Sequence, residues 1–243
     1  MRTIFAFLFV FFFLILGLPV LGVEWMIGHF GKEQSQLRQL HMVQWAFRMI
    51  LRITGTEIEV SGLENIPEHE AVLFVGNHRS IFDVLVTYIH RTDRTGYIAK
   101  LQIKRVPALR IWMKRLNCIF IDRDDIKQSL KVILAAIEKV KEGVSITIFP
   151  EGTRSRDTDD VTEMLPFKEG SFKVAQKTGC KIIPMAILGT DQIFEAHMPW
   201  MKKAKVKVIY GTPIEINALD KETQKHIGAY CQEVVADMLR KAQ

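Results

Sequence analysis

Apolar positions divide the chain into a long uncharged start and a body in which short apolar runs alternate with helical patterns. From Thr3 to Val23 no residue is charged, and this length fits a membrane span of about 20 residues. After a polar break at 31–33, apolar residues recur at helical spacing from Leu37 to Ile53, with arginines and Trp45 among them. The pattern therefore predicts two helices ahead of the body.

The uncharged start has three interpretations. A secretory signal combines a basic n-region, a short apolar core and a small-residue cleavage site. Here Arg2 supplies the positive charge of an n-region, and the run 20–22 loosely resembles a cleavage site. A buried core helix is the second interpretation. We favour the third, a membrane element that stays on the protein, because the run is long for a cleaved signal. The tryptophan and arginines of the second helix also favour a water–lipid boundary.

In the body, runs of β-favouring residues predict strands, and the segments between them follow the helical period. The predicted strands are 56–60, 71–75, 97–99, 118–121, 144–149, 181–188 and 206–210. The predicted helices are 80–90, 100–114, 126–140 and 227–238. This alternation predicts an α/β fold with a mixed, largely parallel sheet flanked by helices. We place an N-terminal two-helix membrane-associated element at residues 1–54 and an α/β domain at residues 55–243.

Composition adds a basic surface. The 243 residues include 33 Lys and Arg against 27 Asp and Glu, a net charge of +6, and the basic residues between Arg94 and Ile121 have no acid among them. Basic proteins bind nucleic acid, anionic membranes or phosphorylated ligands, and a solvated face is the alternative for each basic run. No helix-turn-helix, zinc-finger or RNA-binding aromatic signature is present, so we expect no nucleic acid and favour anionic lipid.

The three cysteines, Cys118, Cys180 and Cys231, are widely spaced and form no Cys-x-x-Cys pair. A zinc knuckle or a redox motif is therefore excluded in its usual form, and we expect no metal site. An odd count without a framework indicates reduced thiols and a cytosolic setting. Each cysteine is expected to be a small buried hydrophobe.

Polar residues follow the predicted strand 71–75, at the position where open α/β sheets place their sites. His78 and Asp83 are five apart and would diverge by about 140° on one regular helix. They meet if His78 precedes the helix and Asp83 lies in its first turn. Asp83 would then hold one imidazole nitrogen and leave the other free as a general base. The alternative is a capping acid, because Ser80 fits the N-cap position and Asp83 stands three residues later.

A second polar group follows the predicted strand 144–149. Gly152 permits a tight turn with φ > 0, and the planar fork of Arg154 suits phosphate. Glu151 either orients that arginine or accepts from a hydroxyl, and a polar β-turn is the alternative for the group. No serine stands in a Gly-x-Ser-x-Gly elbow. A base without a protein nucleophile suggests that the substrate brings its own hydroxyl.

Together the two groups resemble the motifs of the glycerolipid acyltransferases. The matching positions are, in order, Asn77, His78 and Asp83, then 118–123, 149–154, 167–170 and 183–184. His-x4-Asp by itself occurs in many proteins, but the ordered set with this spacing is specific. The family often has glycine at the position of Asn117, and asparagine tolerates φ > 0 better than most residues.

The resemblance implies acyl transfer from a coenzyme A or acyl-carrier-protein thioester to the sn-2 hydroxyl of lysophosphatidic acid, giving phosphatidic acid for phospholipid synthesis. It implies a catalytic pair, His78 and Asp83, and no cofactor beyond the acyl donor as co-substrate. The substrate-binding residues that it implies are Glu151, Gly152, Thr153, Arg154, Arg123 and Lys100. Backbone donors near the start of the helix at Ser80 are expected to stabilise the oxyanion.

Other activities stay open at this point: an acyltransferase with glycerol-3-phosphate or another lysolipid as acceptor, a thioesterase, and a non-catalytic lipid-binding module.

The expected chemistry also bears on the placement of the N-terminal helices relative to the membrane. One full crossing with Arg2 inside would place His78 outside the cell, away from acyl-CoA. We therefore expect residues 3–53 to form a hairpin or an interfacial pair on the cytoplasmic face of the cell membrane.

Overall fold

The structure is a computed structural model of the chain, and it describes residues 1–122, 125–155 and 160–243. Its helices are α1 Arg2–Ile27, α2 Lys32–Thr54, α3 Phe82–Tyr88, α4 Pro107–Arg115, α5 Ile126–Lys141, α6 Lys173–Thr178, α7 Lys221–Lys225 and α8 Ile227–Ala242. Its strands are β1 Glu57–Ser61, β2 Leu73–Gly76, β3 Thr95–Lys100, β4 Ile119–Ile121, β5 Ser145–Ile148, β6 Ile182–Leu188 and β7 Lys205–Tyr210.

The strands form one sheet in the order β1-β7-β6-β2-β5-β3-β4. β6 and β7 are antiparallel, and the other neighbouring pairs are parallel. The predicted mixed, largely parallel sheet is confirmed. The central strands β2 and β5 are buried throughout, which explains why they read as continuous apolar runs and not as alternating ones.

Helices cover both faces of this sheet. Successive side chains of a strand point to opposite faces, so Phe74 joins one apolar cluster while Leu73 and Val75 join the other. The first cluster includes Phe82 of α3 and Trp112 of α4, together with residues of α1 and α2. The second is built with α5, α6 and α8. The site described below lies where the central strands β2 and β5 end, at the edge of the sheet formed by the carboxyl ends of its parallel strands.

The helices α1 and α2 form an antiparallel pair on the first face. Glu24, near the end of α1, accepts hydrogen bonds from Nε and Nη2 of Arg38 at 2.7 and 2.8 Å. Further along, the rings of Phe9 and Trp45 lie 5.7 Å apart. The other face of α1 is open, and its exposed large apolar residues are Ile4, Phe5, Phe7, Leu8, Phe11, Phe12, Ile15, Leu16, Val20, Val23, Trp25, Met26 and Ile27.

Several predicted boundaries were wrong for local reasons. The helix predicted at 100–114 is a 3₁₀ turn, Leu101–Arg105, followed by α4, because Pro107 takes the first helical position and does not sit inside a helix. The helices α6 and α7 were missed because each is too short to show a helical period. Asn117 has φ +56°, so it takes the left-handed conformation expected at a position where the resembling family often has glycine. The division at residue 54 stays a prediction.

Candidate active site

Two neighbouring strands bring the two polar groups together. β2 and β5 run parallel with Val75 opposite Ile148, so the segments 77–83 and 149–154 leave the same edge of the sheet. The imidazole of His78 stacks on the ring of Phe149, with 4.2 Å between centroids and 10° between planes. The sheet geometry therefore places the predicted base beside the second motif.

Asp83 lies in the first turn of α3 and is almost completely buried. Its Oδ2 accepts hydrogen bonds from Nδ1 of His78 and from the backbone N–H groups of Arg79 and Ser80, each at 2.8 Å. Its Oδ1 accepts from Oγ1 of Thr190 at 2.5 Å. Asp83 thus makes the capping contact and the imidazole contact together, and the two sequence interpretations do not exclude each other.

The second imidazole nitrogen of His78 is available for chemistry. Donation from Nδ1 to the carboxylate leaves Nε2 of the neutral ring unprotonated, and 16% of the side chain is exposed. Within the ranges that the structure describes, no hydroxyl or thiol is hydrogen-bonded to Nε2. Burial also raises the pKa of the Cys118 thiol to about 11 and that of Cys231 to about 12, so these thiols are poor nucleophiles.

The backbone N–H groups at the start of α3 are already engaged. The backbone N–H of His78 donates to Oε1 of Glu151 at 2.7 Å, and those of residues 79 and 80 donate to Asp83. The backbone N–H of residue 81 donates to Oε1 of Glu195 at 2.9 Å, and that of residue 82 donates to Oγ of Ser80 at 3.0 Å. The expectation that amides at this helix start stabilise the oxyanion is therefore not met, because each is engaged by a side chain.

Glu151 supports the loop that carries His78. One of its oxygens accepts from the backbone N–H of His78 and the other from that of Leu165 at 3.0 Å. Burial raises the pKa of Glu151 to about 7, against the lowering effect of these two amides. The sequence interpretation in which Glu151 orients Arg154 was wrong, because the carboxylate that pairs with Arg154 is Glu195.

The other predicted substrate-binding residues lie at the same edge of the sheet as far as they are described. Gly152 has φ +80°, a left-handed conformation that favours glycine, and a Cβ added there would stand 2.7 Å from Nζ, the movable end of the Lys168 side chain. Thr153 and Lys100 are exposed, with Lys100 at the end of β3. Arg123 lies outside the described residues.

Arg154 is partly open to solvent. Its Nη1 donates to Oε1 of Glu195 at 2.8 Å, and 37% of its side chain is exposed, against 7% for Glu195. One end of the guanidinium is thus held, while more than a third of the side chain remains accessible. Among the described residues, no group of three or more His, Cys, Asp or Glu side chains is arranged to hold a metal ion.

Thr190 and Glu195 were not identified from the sequence. Both follow β6, which neighbours β2 in the sheet, so the rule that sites gather beyond the carboxyl ends of strands pointed to this segment as well. Neither residue belongs to a motif with a recognisable spacing. Their contacts with Asp83 and Arg154 depend on strand order, which a single sequence does not reveal.

Comparison with known proteins identifies the family. The sequence model of the Acyltransferase family matches residues 57–188. The chain belongs to this family. The match covers both the His78–Asp83 pair and the motif at 149–154, and it confirms the resemblance inferred from those motifs.

Relatives of this acyltransferase carry more specific names. The 1-acyl-sn-glycerol-3-phosphate acyltransferase of Borreliella burgdorferi is 29% identical over 198 residues, which cover 82% of this chain and 78% of that one. The Saccharomyces cerevisiae protein of the same name is 27% identical over 222 residues, covering 87% and 71%. The crystal structure of the Thermotoga maritima 1-acyl-sn-glycerophosphate acyltransferase PlsC superposes with a TM-score of 0.82 at 24% identity, covering 99% of this chain and 95% of that one. This last likeness shows the shared fold.

Proposed function

We propose that this protein transfers an acyl group from a thioester, of coenzyme A or of acyl-carrier protein, to the sn-2 hydroxyl of lysophosphatidic acid. The product is phosphatidic acid. The observation that carries the proposal is the free Nε2 of His78 at the same sheet edge as the open guanidinium of Arg154. A base for a hydroxyl and a cation for a phosphate are the two groups that this acceptor requires. The names of several relatives support the same acceptor.

The chemistry follows from the geometry of the pair. Nε2 of His78 removes the proton of the acceptor hydroxyl, and Asp83 stabilises the imidazolium that forms. The oxygen attacks the thioester carbon, and the tetrahedral intermediate collapses to the ester and a thiolate. The thiolate takes the proton from His78, although a thiol with a pKa near 8.5 leaves readily without it. The route needs no covalent acyl-enzyme intermediate.

The acceptor phosphate is assigned to Arg154. Its guanidinium can form two parallel hydrogen bonds to phosphate oxygens, which also fixes the orientation of the acceptor. Lys100, Gly152 and Thr153 stand at the same sheet edge and are proposed as further contacts, with Arg123 proposed from the motif alone. Glu151 acts in this scheme through the backbone of His78.

Replacing Arg154 with alanine is expected to raise the KM for lysophosphatidic acid about 10- to 100-fold, with a smaller change in kcat, because a charge-assisted phosphate contact is lost. Acceptor-dependent thiol release measures both constants. Arg240→Ala, which removes an exposed arginine from α8, serves as the matched control. An unchanged KM for every phosphorylated acceptor would remove the assigned role.

A thioesterase is an alternative from a different class, since water could replace the acceptor hydroxyl. The same assay separates the two activities. An acyltransferase releases thiol only when lysophosphatidic acid is present, whereas a thioesterase releases it without any acceptor. A panel with glycerol-3-phosphate and other lysolipids tests acceptor choice. The partly exposed, positively charged Arg154 beside the site favours a phosphorylated acceptor over water.

We further propose that α1 and α2 attach the protein to the cytoplasmic face of the membrane without crossing it. Within the described residues, one helix, Arg2–Ile27, is long and apolar enough to span a bilayer by length and composition. However, it is bonded to the body along its length. Thr3 accepts from the backbone N–H of Met201 at 2.8 Å, and Nε1 of Trp112 donates to the carbonyl of Leu14 at 3.2 Å.

These contacts favour an interfacial position. A crossing would strip α1 from the body and break the ion pair between Glu24 and Arg38. With α1 held on the body, its open apolar face can enter one leaflet while Arg2 and the body stay on the same side. The helix α4 packs against α1, and its exposed basic residues Arg110 and Lys114 suit anionic headgroups.

Replacing both Phe11 and Phe12 with serine is expected to reduce binding to anionic lipid vesicles about tenfold or more. The reason is that two exposed apolar rings can then no longer insert into the leaflet. Co-sedimentation measures the bound fraction. Tyr230→Ser removes an exposed aromatic from α8 and is expected to leave binding unchanged. Cysteine labelling that found position 2 and the body on opposite sides of the membrane would reject the interfacial arrangement.

A further inference from the structure

Glu195 is a buried carboxylate that contacts both halves of the site. Its Oε2 accepts a hydrogen bond from Oγ of Ser80 at 2.6 Å, and its Oε1 accepts from the backbone N–H of Ile81 at 2.9 Å. The same Oε1 accepts from Nη1 of Arg154 at 2.8 Å. One side chain, on the segment after β6, therefore joins the loop that carries the base to the proposed phosphate ligand.

We propose that Glu195 is a positioning residue that holds the guanidinium of Arg154 in place for the acceptor phosphate, at a set distance from His78. The inference deepens the proposed function and rests on it, because it presupposes that Arg154 binds the phosphate. Glu195 itself need not contact the substrate, since only 7% of its side chain is exposed.

The contacts explain why this carboxylate can hold an arginine in one place. An ion pair between two exposed side chains contributes little, because both chains must be immobilised and solvent screens the charges. Here the carboxylate is already immobilised by Ser80 and Ile81, so only Arg154 has to be ordered. The pairing uses Nη1, and the exposed remainder of the guanidinium keeps donors for a phosphate.

The same contacts couple phosphate position to the base. Ser80 and Ile81 lie between His78 and Asp83, and Ser80 also donates its backbone N–H to Asp83. Through Glu195, a phosphate bound by Arg154 is therefore held at a fixed position relative to the loop that orients Nε2 of His78. Proximity of this kind raises the rate only when the acceptor is held at a fixed distance from the base.

A double-mutant cycle tests the inference, with Glu195→Ala, Arg154→Ala and the combined variant in the full-length protein. Two constants are measured: the KM for lysophosphatidic acid, and the inhibition constant of an analogue that lacks the sn-2 hydroxyl and so reports binding without chemistry. Glu195→Ala is expected to raise both constants about tenfold when Arg154 is present. In the Arg154→Ala background, it is expected to raise them by less than about threefold.

The controls separate positioning from general damage. Glu195→Gln should keep most of the binding, because its carbonyl can accept from Arg154 and Ile81 while its amide donates to Ser80. Glu222→Ala removes an exposed carboxylate from α7 and should change neither constant. If Glu195→Ala does not fold, Glu195→Asp replaces it in the cycle, because the shorter side chain keeps the charge but withdraws it from Arg154.

The outcomes are distinguishable. Equal losses from Glu195→Ala with and without Arg154, or a Glu195→Gln enzyme as impaired as Glu195→Ala, would overturn the positioning role while leaving the phosphate role of Arg154 intact. An Arg154→Ala enzyme with unchanged constants would overturn the phosphate role, and the inference with it. Coupled losses with rescue by glutamine support both.

Discussion

Replacing His78 with alanine is expected to lower kcat by about 10²- to 10⁴-fold, the range for loss of a general acid–base group. The alanine enzyme keeps the sheet edge and Arg154, so binding of lysophosphatidic acid should change far less than turnover. The acceptor hydroxyl, however, would have no group to take its proton. Thiol release from acyl-CoA in the presence of saturating lysophosphatidic acid measures the loss.

His226→Ala provides the matched control for this experiment. His226 follows directly after α7, its side chain is exposed, and Nε2 lies 3.3 Å from Oε1 of Glu222. Its replacement is expected to leave turnover unchanged. A folded His78→Ala protein with turnover near that of the parent enzyme would refute the assignment of His78 as the base.

Asp83→Asn is expected to lower kcat by a similar factor, about 10²- to 10⁴-fold, although the side chain keeps its shape. Oδ2 of Asp83 is surrounded by three N–H donors, and Oδ1 by the hydroxyl of Thr190. Asparagine can satisfy these donors with its carbonyl and turn its amide toward Thr190. It then lacks the negative charge that stabilises the imidazolium of His78.

The measurement is again kcat at saturating substrates, with the fold checked by circular dichroism. Asp237→Asn, which neutralises an exposed carboxylate of α8, is the control and should retain full turnover. A folded Asp83→Asn enzyme within about threefold of the parent would mean that Asp83 serves only as a cap. Capping contacts are lost with alanine but not with asparagine, so the choice of variant separates the two roles.

Asp83 illustrates why local sequence patterns left two interpretations open. Its spacing from Ser80 predicts a helix cap, and its spacing from His78 predicts a partner for the imidazole. The sequence offers no reason to choose, because both contacts involve the same first turn of α3. In the structure a single oxygen accepts from His78 and from two backbone amides, so one carboxylate fulfils both patterns.

Glu151 shows the opposite case, in which the sequence pattern suggested the wrong contact. Its neighbour three positions on, Arg154, was the natural partner to expect in a short polar turn. The turn at Gly152, with φ +80°, instead directs Glu151 inward to the amides of His78 and Leu165. Arg154 remains outside and pairs with Glu195, which lies 41 residues further along the chain.

The sequence alone determined the seven strands in their order along the chain, the two N-terminal helices, the His78–Asp83 pair and the motif at 149–154. These features depend on periodicity and on spacings of a few residues, which a chain expresses locally. The tertiary structure decided which groups serve the site: Thr190, 107 residues from Asp83, and Glu195, 115 residues from Ser80. They meet the motifs because β6 lies beside β2 in the sheet, and strand order is set by packing across the whole domain.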